Sequence, residues 1–200
     1  MDDRAARISY DDATALVVVD MQNDFADPDG SLYVAGTDDI VELVNTHLQA
    51  ARSGGSTVVL TQDWHPPETP HFVTGGGPWP PHCVRETWGA ELHPDLGTDA
   101  DLVLRKGTGG EDGYSAFTVA DPTTGDTTST GLAAYLDARA VTRVVVVGVA
   151  GDVCVRATAL DAAGAGFDTE VPWDATASVD PDQGAAGARA DLADAGVAVS

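Results

Sequence analysis

Residues 144–154 read Val-Val-Val-Val-Gly-Val-Ala-Gly-Asp-Val-Cys. The apolar run Val144–Val149 is short, β-branched and without helical spacing, so it reads as a strand buried on both faces. Gly148 and Gly151 loosen the turn that follows, and Cys154–Ala163 continues as an alanine-rich helix. A fully buried strand running straight into a helix is the repeating unit of a parallel sheet covered on both sides.

The same alternation runs outward in both directions. Ala15–Val19 and Thr57–Thr61 read as buried strands. Between them Asp38–Ala51 has helical spacing at Ile40, Leu43, Val44 and Leu48 and stops at Gly54-Gly55. Leu102–Leu104 begins a third strand, and a helix is expected over Thr130–Arg139. On the far side come a short strand Thr169–Val171, a helix Pro181–Ala195 and a terminal strand Val197–Val199. Two irregular stretches remain, Pro66–Pro94 and Gly107–Thr128. The first is too long to be mere connection, and loops of that length in a compact domain usually carry function. The pattern predicts an α/β protein of three layers, α/β/α, with a mostly parallel sheet and one domain over residues 1–200.

Composition narrows the class. Two hundred residues, 43 % of them hydrophobic, are enough for a real core. Thirty-two carboxylates face ten basic residues, a formal charge of −22, and the acids recur in nearly every segment. A field of that sign repels nucleic acid and anionic membranes, which are discounted as partners. It suits a surface adapted to a salt-rich cytoplasm, where counterions screen the self-repulsion. No window approaches the apolar length of a membrane span, and Met1–Asp12 lacks the layout of a signal peptide, so a cytoplasmic location is expected. Cys83 and Cys154 do not form the framework of a secreted disulfide protein.

In an open α/β sheet, ligands bind beyond the carboxyl ends of the strands. Asp20, Asp63, Lys106 and Cys154 all fall there, remote in sequence but convergent in this fold. A carboxylate, an ammonium and a thiol brought together make a nucleophilic site. A lone cysteine is more often a small buried hydrophobe. At a helix N-terminus, however, Cys154 is expected to be biased toward thiolate. Lys106 is the only lysine in the chain, and the other nine basic residues are arginines. Its retention at the end of a core strand implies a need that arginine cannot meet. Asp20 can take a thiol proton and return it to a leaving amine. Asp24 and Asp27 read as turn or capping residues.

Three of the five histidines, His65, His71 and His82, lie in one proline-rich window just after Asp63. One carboxylate and three imidazoles suit a divalent cation, Zn²⁺, Fe²⁺ or Mn²⁺. His47 and His93 stand apart. Phe25, Trp79 and Tyr114 fall close to Asp20, His82 and Lys106, and could hold a flat heteroaromatic amide.

The stretches VVVDMQNDF, TQDWHPPETPHF, GPWPPHC, RKGTGGEDGYSAF and VGVAGDVCVRATALDA together resemble nicotinamidase/pyrazinamidase, within the isochorismatase-like cysteine hydrolases. The resemblance covers almost the whole chain in order. It implies hydrolysis of nicotinamide to nicotinate and ammonia in NAD salvage, with Cys154 as nucleophile, Asp20 as base and Lys106 completing the triad. It implies a metal held by Asp63, His65, His71 and His82, and an aromatic pocket of Phe25, Trp79 and Tyr114. It also implies a cis peptide at Val149–Ala150, with the N–H groups of Ala150 and Cys154 as oxyanion donors. Two departures stand out. Many nicotinamidases read Thr-Asp-His-Cys where this chain has Gly151-Asp152-Val153-Cys154, and Lys106–Tyr114 is one residue longer than common versions. A related amidase acting on a carbamoyl or ureido group, or a non-catalytic metal-binding protein of this fold, are the rival readings. Monomer and homo-oligomer are both left open.

Overall fold

The computed structural model describes residues 8–200. Met1–Arg7, most of the segment read as lacking a signal peptide, lies outside them. Seven strands form one parallel sheet in the order β3-β2-β1-β6-β7-β9, with β8 added beside β6. Their ranges are β1 Thr14–Val19, β2 Thr57–Asp63, β3 Leu102–Lys106, β6 Arg143–Val149, β7 Asp168–Val171, β8 Thr176–Ala177 and β9 Ala198–Val199.

The buried strands alternate between two cores. Leu16, Val18, Val58, Leu60, Val145 and Val147 face one side, where α2 (Thr37–Gly54) lays down Ile40, Val41, Val44 and Leu48. Ala15, Val17, Val19, Val59, Val144 and Val146 face the other. There α3 (Leu132–Asp137), α4 (Arg156–Gly164) and α5 (Gln183–Asp194) bring Leu132, Leu136, Ala159, Ala162 and Leu192. Side chains on a strand alternate faces, so a strand apolar at every position must be covered twice. That is the three-layer arrangement expected. Among the described residues no helix is long and apolar enough to cross a membrane.

The chain runs from β1 out to β2 and β3 on one side, then returns to β6 on the other flank of β1. Strand order therefore reverses between β1 and β6, and the crevice opens at their carboxyl ends. Gly148 lies directly opposite Val19 there with φ +108°, and a Cβ on it would sit 2.3 Å from the Val19 carbonyl oxygen. Only glycine lets the two central strands approach this closely where they deliver their polar ends.

Two expectations need correction. The stretch Gly107–Thr128 is not wholly irregular: β4 (Thr118–Ala120) and β5 (Thr127–Ser129) make a separate antiparallel hairpin. β4 (Thr-Val-Ala) is half-buried and β5 (Thr-Thr-Ser) exposed, and three residues are too few to show an alternation. The helix read from Cys154 begins earlier, as a π-helical turn over Gly151–Val155 that leads into α4, so Cys154 lies inside that turn. The four-residue helix α1 (Asn23–Ala26) and strand β8 are too short to show a period.

Candidate active site and metal centre

Register brings the polar strand ends together. Lys106 pairs directly with Asp63 across β3 and β2, and its side chain reaches past β2 to the end of β1. The Nζ lies 2.7 Å from Asp20 Oδ2, 2.5 Å from Asp63 Oδ1 and 3.8 Å from Cys154 Sγ. The Lys106 residue is 1 % exposed. A lone buried ammonium would shed its proton, but the two carboxylates hold its pKa well above the ordinary lysine value against the effect of burial. An ion cluster so placed is sensitive to the loss of any member, because an unpaired buried charge costs about 3–5 kcal/mol.

Asp20 follows β1 in a left-handed backbone conformation, φ +51°, which aspartate tolerates better than most residues. Its N–H donates to Thr61 Oγ1 at 3.1 Å, and the Thr61 hydroxyl donates to Asp20 Oδ1 at 2.6 Å. Full burial pushes the Asp20 carboxyl up to about 6, with Lys106 opposing and Asp63 adding to the rise. Asp63 feels the same burial, but Lys106 and the histidines outweigh it and hold its carboxyl below the usual range.

Cys154 departs from expectation. Burial raises its thiol well above the ordinary cysteine value; Lys106 opposes this, while Asp20 and Asp63 reinforce it. The thiolate bias expected from the helix end does not win. Burial thus favours the thiol form of Cys154, while the carboxylates favour the ammonium form of Lys106. The oxygen and sulfur atoms of Asp20, Asp63 and Cys154 lie within 4.8 Å of one another, which sets the thiol beside carboxylates that can serve as its proton acceptor.

Next to this cluster, ligand atoms of His65, His71 and His82 also lie within 4.8 Å of one another. Asp63 Oδ2 stands 3.7 Å from His65 Nε2 and 3.8 Å from His82 Nε2. The four ligand candidates named from sequence therefore converge. Burial lowers the pKa of His82 to about 4 and that of His71 below its ordinary value, so both present neutral imidazoles. His71 Nδ1 meets Asp112 Oδ1 at 2.6 Å and His82 Nδ1 meets the Pro80 carbonyl at 2.7 Å, which turns each Nε2 into the free ligating nitrogen. Both ring nitrogens of His65 are buried without a hydrogen-bond partner. Buried polar atoms rarely go unpaired, and a cation at the shared centre would take up one of the two His65 nitrogens. The donor set, one carboxylate and three imidazoles, fits a divalent transition metal. Gly107, φ +69°, packs so close beneath His65 that a Cβ there would come within 2.5 Å of its ring.

A cavity of about 370 Å³, counting its open mouth, lies over both clusters. Phe25, Trp79 and Tyr114 line it with Asp63, His71, His82, Ala150 and Cys154. Trp79 Nε1 donates to Tyr114 Oη at 2.9 Å, so the longer Lys106–Tyr114 segment still brings Tyr114 to the wall. Val153 also faces the cavity, where the resembled family often has histidine. The Val149–Ala150 peptide is cis.

Residue reading from sequence missed four supports. Thr61 fixes Asp20. Gln22 donates from Nε2 to the Asp63 carbonyl at 2.8 Å and accepts from the Asp63 N–H at 2.8 Å, which clamps the backbone of β2 beside β1. Asp24, read only as a turn residue, accepts from Cys83 N–H at 2.7 Å and Ser31 N–H at 2.9 Å, and so anchors the loop bearing His82. Asp112 backs His71. A buried polar run directly after an apolar strand, Gln22-Asn23-Asp24, was the available signal. Leu32, Val34 and Val179, also in the cavity wall, had none.

Residues 14–200 match the isochorismatase domain. The chain belongs to the isochorismatase family. Among curated relatives of this family member, the nicotinamidase of Acinetobacter baylyi is 43 % identical over 185 residues, covering 83 % of this chain and 82 % of that protein. The crystal structure of PnC1 from L. infantum in complex with nicotinate superposes with a TM-score of 0.88 at 41 % identity, covering 96 % of this chain and 95 % of that one. The pyrazinamidase of Pyrococcus horikoshii in complex with zinc gives 0.83 at 38 %, covering 94 % and 98 %.

Proposed function

We propose that this isochorismatase-family chain is a nicotinamidase, hydrolysing nicotinamide to nicotinate and ammonia through a thioester on Cys154, in NAD salvage. One observation carries the reading: a buried lysine joins a carboxylate to a thiol that opens into a cavity walled by aromatic rings, beside a carboxylate–imidazole cluster. Relatives named for nicotinamide and a neighbour bound to nicotinate support it.

Asp63, His65, His71 and His82 would hold one divalent cation, Zn²⁺ or alternatively Fe²⁺ or Mn²⁺, which when bound supplies a Lewis acid for a ring-nitrogen lone pair. Phe25, Trp79 and Tyr114 flank the heteroaromatic ring and exclude water around it. Asp20, ionised above about pH 6, takes the Cys154 proton as sulfur attacks the amide carbonyl. The N–H groups of Ala150 and Cys154 receive the oxyanion, each good donor worth roughly 3–4 kcal/mol in the transition state. The C–N bond breaks as Asp20 passes its proton to the departing nitrogen, releasing ammonia. Water, deprotonated by Asp20, then attacks the thioester; sulfur leaves and recovers the proton, and nicotinate is released. Lys106 stays charged throughout and keeps Asp20 an acceptor by opposing its protonation.

The extreme surface acidity supports a salt-rich cytoplasmic setting for a protein whose partner is a small molecule rather than nucleic acid or membrane. The testing experiment is mass spectrometry of wild-type protein quenched during turnover of nicotinamide. The expected adduct is a nicotinoyl group on Cys154, absent in Cys154→Ala; an adduct elsewhere overturns the assignment.

A further inference from the structure

The three histidines of the candidate metal centre are backed unequally. His65 has no partner at either ring nitrogen, and His82 Nδ1 meets a neutral carbonyl, that of Pro80. His71 Nδ1 alone of the three meets a carboxylate, Asp112 Oδ1, at 2.6 Å. A carboxylate accepts only, so it fixes the neutral imidazole with its proton on Nδ1 and its lone pair on Nε2. It also makes that nitrogen a stronger donor to a cation.

Asp112 is itself held in place from outside the site. Its backbone N–H donates to the Ala120 carbonyl at 2.7 Å and its carbonyl accepts from Ala120 N–H at 2.8 Å, a bridge onto the β4–β5 hairpin. Thr69 ties the two loops together: its hydroxyl donates to the Gly110 carbonyl at 3.3 Å and accepts from His71 N–H at 3.2 Å. The side chain of Asp112 is 24 % exposed, against 3 % for His71, so it sits between solvent and the ligand rather than in the cavity.

We infer that Asp112 is the positioning residue of the metal centre, setting the tautomer and orientation of His71 for a divalent cation, and that the β4–β5 hairpin serves to hold Asp112 there. The inference rests on the metal-site reading above. It gives a role to the hairpin, which otherwise packs outside the main sheet.

The backbone bridge to Ala120 does not depend on the side chain, so substitutions at this position keep the hairpin. The test uses the full chain stripped of metal by chelator, with Zn²⁺ affinity read by competition against a chromogenic chelator and Co²⁺ geometry read from its absorption bands. Asp112→Ala should weaken Zn²⁺ binding about 10- to 100-fold and alter the Co²⁺ bands. Asp112→Asn, which keeps an accepting oxygen without the charge, should fall between Ala and wild type. Asp126→Asn, on the exposed hairpin turn, should bind as wild type. Wild-type affinity in Asp112→Ala overturns the role of Asp112 and leaves the metal site standing. Equal weakening in Asp126→Asn also overturns it, because surface charge would then explain the effect. Absence of Zn²⁺ binding by wild-type protein overturns both readings, and that arm is read independently of any variant.

Discussion

Thr61→Val removes the hydroxyl that serves both the Asp20 carboxylate and the Asp20 N–H, with little change of shape. The Thr61 hydroxyl donates to Asp20 Oδ1 at 2.6 Å in a buried setting, and the bond lowers the carboxyl pKa that burial has raised to about 6. A hydrogen bond to a charged group is worth roughly 1.5–3 kcal/mol. At about 1.36 kcal/mol per pH unit, its loss should raise the Asp20 midpoint by about 1–2. Because the base must be ionised, activity is present above this midpoint and lost as pH falls through it. The acidic limb of kcat/KM for ammonia release should therefore move from near 6 to about 7–8. At the wild-type midpoint the variant should be down roughly 5- to 50-fold relative to wild type, and near parity should return about three pH units higher. The assay is a pH–rate profile of both proteins with metal in excess. An unmoved limb, or a uniform loss at every pH, would refute the claim that Thr61 acts by tuning Asp20.

Cys154→Ala should abolish turnover while fold and metal content persist, whereas Cys83→Ala should keep most activity, since the Cys83 thiol donates to the Gly89 carbonyl at 3.8 Å and packs in the core behind His82; equal losses on steady-state assay would sink the assignment. Lys106→Arg should not restore Lys106→Ala, because a planar guanidinium cannot place one compact charge among Asp20, Asp63 and Cys154; near-wild-type kcat in Lys106→Arg would mean that charge alone matters. His71→Ala or Asp63→Ala should lower bound metal by elemental analysis and raise KM, with unchanged metal content counting against their roles. With 32 carboxylates against ten basic groups, the thermal midpoint should climb as KCl rises from millimolar to molar, because the Debye length shrinks from about 30 Å to about 3 Å; a flat series would show that the acidity is not a salt adaptation.

The layered fold was readable because strands such as Val144–Val149 are apolar at every position, which admits only a doubly covered sheet. The site was readable for a related reason: Asp20, Asp63 and Lys106 are charges placed where apolar strands stop, and the histidines are crowded into one loop. Thr61 and Asp112 were not. A threonine inside a strand looks like any β-former, and the Asp112–His71 contact spans 41 residues between two loops whose path no local pattern fixes. The upward push of burial and two carboxylates on the Cys154 thiol was not legible either, because a helix terminus is a local feature and that surrounding is a tertiary one. The β4–β5 hairpin was not legible because segments of three residues are too short to show a period.

The central claim is tested most directly by incubating the purified protein with nicotinamide and measuring ammonia and nicotinate together, after chelation and again after Zn²⁺, Fe²⁺ or Mn²⁺ is restored. Equimolar release of the two products, lost on chelation and recovered with at least one of these ions, is the predicted result. Metal-bound, folded protein that releases neither product would contradict it.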